Sequence, residues 1–60
     1  MKHTGIYDIE VAYDVDDDIN IITVYSPYTG GILGIIHYDD VIEKGTDDEI
    51  NDYINSNLRQ

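Results

Sequence analysis

Apolar and polar positions alternate strictly along residues 6–15, IYDIEVAYDV. Tyr7, Ile9, Val11, Tyr13 and Val15 fall on one side, with Asp8, Glu10, Ala12 and Asp14 on the other. Period two is the pattern of a half-buried strand with a charged outer row. Asp16, Asp17 and Asp18 break it as a polar turn. Residues 19–26, INIITVYS, are β-branched and aromatic and predict a second strand, which Pro27 ends or marks as an edge. Tyr28-Thr29-Gly30-Gly31 reads as a hairpin turn with glycine where positive φ is needed. Residues 32–38, ILGIIHY, predict a third strand. Asp39 or Asp40 then caps a single helical turn through Val41, Ile42 and Glu43, stopped at Lys44-Gly45.

From Thr46 to Arg59, TDDEINDYINSNLR, the period changes. Ile50, Tyr53, Ile54 and Leu58 follow the i, i+3, i+4, i+8 spacing of one helical stripe, and Asp48, Asp52 and Asn55 fall opposite it. Thr46 with Glu49 three residues on has the spacing of a capping box. Asp47, Asp48 and Glu49 suit the positive end of the helix dipole, and Arg59 suits the other end.

These elements predict one α+β domain over residues 1–60: a three-stranded antiparallel β-meander followed by a C-terminal helix, 47–58, packed on one sheet face (βββα). A two-residue loop at Asp17-Asp18 would pair Val11 with Val24 and Tyr13 with Ile22. A two-residue loop at Gly30-Gly31 would pair Val24 with His37 and Ser26 with Ile35. Paired residues share a face. The helix side would then hold Ile9, Val11, Tyr13, Ile22, Val24, Leu33 and Ile35. The other side would hold Asp8, Glu10 and Asp14 with Ile21, Tyr25, Ile32, Ile36 and Tyr38. One helix cannot cover both faces, and an apolar patch of that make-up seldom stays bare on a monomer. The expectation is a homodimer joined through Ile21, Tyr25, Ile32, Ile36 and Tyr38.

Composition narrows the function. Thirteen Asp and Glu against three Lys and Arg give a net charge of −10, which excludes a generic basic nucleic-acid binder and an anionic-membrane binder. It points to a cationic partner, or to acidity that serves only solubility. With 42% hydrophobic residues and six Tyr, the chain is not of disordered composition. It has no Cys, hence neither disulfides nor a thiolate metal site. Without an apolar leader or a run long enough to span a bilayer, it reads as soluble and cytoplasmic, in a bacterial host cell.

Catalytic chemistry finds little purchase. Ser26 and Ser56 are the serines and His3 and His37 the histidines, with no nucleophile-elbow or oxyanion signature around them. His37 reads as a strand residue at the sheet margin. Asp14, Asp16 and Asp18 have the spacing that opens a calcium loop, but Ile19 stands where that loop needs Gly and Tyr25 where it needs Glu. A solvated hairpin tip is the plainer reading, and no metal or cofactor is expected.

The charge distribution is the positive signal. Asp8, Glu10 and Asp14 run down one strand at about 6.6 Å per two residues, comparable with successive phosphates of a nucleic-acid strand. Asp16, Asp17 and Asp18 lengthen the row, and Asp48 and Asp52 form an acidic i, i+4 pair on the helix that costs it a few tenths of a kcal/mol. Tyr25 and Tyr38 would be aromatic anchors beside these carboxylates. Gly45-Thr46-Asp47-Asp48-Glu49, with Ile54 and Leu58 after it, resembles the helix start of HicB-type antitoxins. Helix capping accounts for those residues and that family's strand pattern is not matched, so no function is carried over. In composition and architecture the chain is similar to phage-encoded inhibitors that imitate DNA, with no shared motif. The expected function is a non-enzymatic inhibitor docking on a basic, nucleic-acid-handling protein. The alternatives are a homo-oligomeric assembly protein, or an antitoxin or immunity protein that neutralises a basic toxin.

Overall fold

The computed structural model describes residues 1–58. Arg59, expected to close the last helix, lies outside them. The elements in order are β1 (Lys2–His3), β2 (Asp8–Asp14), β3 (Ile19–Tyr25), β4 (Ile32–His37), α1 (Val41–Lys44) and α2 (Asp47–Leu58). All four strands form one antiparallel sheet in the order β1-β2-β3-β4. The fold is therefore α+β with a meander and a C-terminal helix, and it has one strand more than the pattern predicted.

The added strand is short and depends on a tight turn. Gly5 takes φ +96°, and Thr4 N–H donates to Tyr7 O across 3.0 Å. Thr4 is buried; its hydroxyl accepts from Tyr7 N–H and donates to the side chain of Asn51 on α2. Lys2 Nζ donates to Ile42 O across 2.9 Å and ties β1 to α1.

The β2–β3 register differs from the expected one by two residues. Ile9 pairs with Val24, Val11 with Ile22 and Tyr13 with Asn20. Asp14 Oδ1 accepts from the amides of Asp16 (3.0 Å) and Asp17 (3.4 Å), and Asp18 takes φ +57°. Aspartate tolerates that left-handed conformation, so a four-residue turn closes where two were expected. A shift of two leaves every side chain on its expected face.

The β3–β4 register differs by three, and that does change faces. Ser26 anchors the loop: its hydroxyl accepts from Tyr28 and Thr29 N–H, and its carbonyl accepts from Gly30 N–H, with Gly30 at φ +73°. Tyr25 pairs with Ile32, and a bulge at Leu33 then places Gly34 opposite Val24 and Ile36 opposite Ile22. Ile36 thus faces the helix and is 7% exposed, whereas Ile35 faces away and is 61% exposed. The expected places of these two isoleucines are reversed. Tyr38 also lies on the helix side: its N–H donates to Asn20 O, and its ring packs on the core.

The core is aliphatic. Ile9, Ile22, Val24 and Ile36 of the sheet meet Ile42 of α1 and Ile50 and Ile54 of α2. Burial of each such side chain contributes about 1.5–3 kcal/mol. Tyr53 and Leu58 extend the stripe as predicted. Leu58 lies over Gly34, where a Cβ would come within 2.5 Å of its Cδ2. The capping box is present: Glu49 N–H donates to Thr46 Oγ1 (3.2 Å), and Thr46 N–H donates to Glu49 Oε1 (2.9 Å). In α1 the cap comes from Asp39, whose carboxylate accepts from Val41 N–H across 2.9 Å.

Candidate docking face

The sheet face away from α2 is uncovered by any described element. Its make-up follows from the register. β2 contributes Asp8, Glu10, Ala12 and Asp14; β3 contributes Ile19, Ile21, Thr23 and Tyr25; β4 contributes Ile32, Ile35 and His37. At the β1 side His3 pairs with Asp8, Nδ1 to Oδ1 across 2.5 Å. The face therefore grades from carboxylates on β2 to bare isoleucines on β4, where Ile32 is 63% exposed.

Tyr25 joins the two halves. Its hydroxyl donates to Glu10 Oε1 across 3.1 Å. That hydrogen bond is the main reason the phenol ionises above its ordinary value, with burial and the charge of Glu10 adding to it. Each carboxylate of the row already has one oxygen engaged: Asp8 with His3, Glu10 with Tyr25, and Asp14 with the turn amides.

The residues expected to form one binding surface are divided among several. Asp8, Glu10, Asp14 and Tyr25 share the outer face. Asp16, Asp17 and Asp18 sit exposed at the hairpin tip at its end, with Asp18 at the left-handed backbone position of the turn. Asp48 and Asp52 are exposed on α2, on the opposite side of the molecule. The expected self-association patch is divided likewise: Ile21, Tyr25 and Ile32 are on the outer face, but Ile36 and Tyr38 belong to the helix side. Ile35 takes Ile36's place there, a residue the sequence pattern had put in the core. The signal that could have found it is Gly34, since a glycine within a strand marks a bulge or a close approach.

Little else offers chemistry. Ser26 Oγ is occupied by turn amides, and Ser56 and His37 are exposed. Among the described residues no group of three or more His, Asp or Glu is placed to hold a metal ion. An open hollow of about 660 Å³ beside β1 is lined by Lys2, Ile9, Val11, Ile42 and Glu43 and also by Glu10, so it reaches from the helix side to the edge of the outer face. No described helix is long and apolar enough to cross a membrane. The chain matches no protein-family model, no curated protein and no solved structure.

Proposed function

We propose that this chain is a small non-enzymatic inhibitor that docks through its outer sheet face on a basic surface of a nucleic-acid-handling protein in the bacterial cytoplasm. The observation that carries this reading is the joining of a carboxylate row to uncovered isoleucines on one face, with Tyr25 bonded to Glu10 between them. Carboxylates alone would serve solubility. Carboxylates beside a bare apolar strip match a partner that supplies both cations and apolar area, and the strip supplies affinity while the charges steer encounter.

Affinity capture from bacterial lysate, eluted with a salt gradient, tests the reading. The captured protein is expected to bind nucleic acid, to leave at moderate salt and to be displaced by duplex DNA. Charge reversal at Asp8 and Glu10 should slow its association about tenfold with a smaller effect on dissociation. Binding that ignores salt, DNA and these two carboxylates would overturn the proposal.

A further inference from the structure

We infer that the element seated on the outer face is a basic amphipathic helix of the partner, its apolar stripe over β3 and β4 and its cationic flank along β2; this rests on the reading above that the face binds a basic protein. Dimensions favour it. Three strands about 4.8 Å apart make a strip roughly 10 Å wide, close to the width of a helix with its side chains. From Asp8 to Asp14 the strip is about 20 Å long, which about 14 helical residues would span.

Sidedness favours it too. Carboxylates line β2 while Ile32 and Ile35 stand bare on β4, so the occupant needs cations along one flank and apolar groups beside them. A helix presents that arrangement on adjacent stripes of one surface. A uniformly charged surface would leave Ile32 and Ile35 wet. The sheet already takes a helix on its other side, where Ile50 and Ile54 of α2 are fully buried.

A second copy of this chain fits poorly. Its own outer face would bring another row of Asp8, Glu10 and Asp14, and the exposed side of its α2 carries Asp48 and Asp52. Of the two described lysines, Lys2 is bonded to Ile42 O, leaving Lys44 on the short α1. Like charges brought together in a contact oppose association.

The test is a titration of the whole chain, followed by amide NMR in about 0.1 M salt. Three synthetic peptides serve as probes: a Leu/Lys peptide with Leu at i, i+3, i+4 and i+7, its scrambled isomer, and an all-Lys peptide. The amphipathic peptide should bind at least about tenfold tighter than the isomer and shift Glu10, Ile21, Tyr25, Ile32 and Ile35 but not Asp48 or Asp52. Both the pair Asp8→Asn with Glu10→Gln and the exposed-site variant Ile35→Ser should weaken it. Equal binding of all three peptides on the outer face would overturn the helix while leaving the basic-partner reading intact. Absence of saturable binding by every peptide would overturn both. Shifts centred on α2 would overturn the assigned face, and concentration-dependent shifts of the same outer residues without peptide would give the face to a second copy.

Discussion

Tyr53 lies on the flank of α2 and donates its hydroxyl to His37 O at the end of β4, across 2.6 Å. Burial, followed by the nearby Asp39 charge, pushes this phenol above its ordinary pKa. Tyr38 is raised by burial first, then by its hydrogen bond to Glu43 and by neighbouring carboxylates, and Tyr25 by its bond to Glu10. A tyrosine whose folded pKa is raised keeps its proton more tightly in the native state. Its stabilising effect is therefore fully present below the unfolded value of about 10 and is lost as pH rises through the higher folded value. Thermal melts should show a stability that falls off above about pH 10. Tyr53→Phe should cost about 1 kcal/mol at neutral pH, the worth of one hydrogen bond, and make that fall shallower. A melt profile from pH 9 upward on the two proteins checks both halves of the expectation.

At the scale of elements, α2 shows where local chemistry suffices. Thr46 and Glu49 satisfy each other's backbone amides whatever the rest of the chain does, so the helix start could be read directly from the sequence. Thr46→Ala should cost about 1 kcal/mol in urea unfolding, with the slope of the transition unchanged. β1 is the opposite case. Two residues pair with β2 only because the Thr4–Tyr7 turn folds back, and Thr4 is held by Asn51, far along the chain. No pattern in Lys2–His3 announces that. The β2 faces were legible because alternation survives a two-residue slip. The β4 faces were not, because Ile32, Leu33, Ile35 and Ile36 make both sides of that strand apolar. The candidate site was legible to the same extent: its acidic row, Tyr25 and Ile32 could be placed, but beyond the bulge Ile36 was expected where Ile35 stands.

The whole molecule places acid on two opposite sides, Asp8 and Glu10 on the outer sheet face and Asp48 and Asp52 on the helix, with the aliphatic core between them. On the first side the carboxylates share a sheet face with the exposed Ile32 and Ile35, whereas the exposed apolar groups of the helix side, Val11 and Tyr13, lie on β2 and not on the helix that carries Asp48 and Asp52. Which isoleucine of β4 stands outside, Ile35 or Ile36, depends on the placement of Gly34. Sliding β4 by one residue would bring Ile35 under the helix in place of Ile36, with no loss of apolar character. It would also put Leu33 beneath Leu58, where now there is a hydrogen atom. Gly34→Ala should lower stability by about 1 kcal/mol, since Leu58 must move aside for the new methyl. The variant should also bring exchange broadening to the amides of Ile35 and Ile36 in NMR relaxation dispersion. Two reading frames of this strand compete on nearly equal hydrophobic terms, so the energy gap between them resides in one missing side chain. Which of two isoleucines this strand shows to others is thus settled on its inner side, by an atom that is not there.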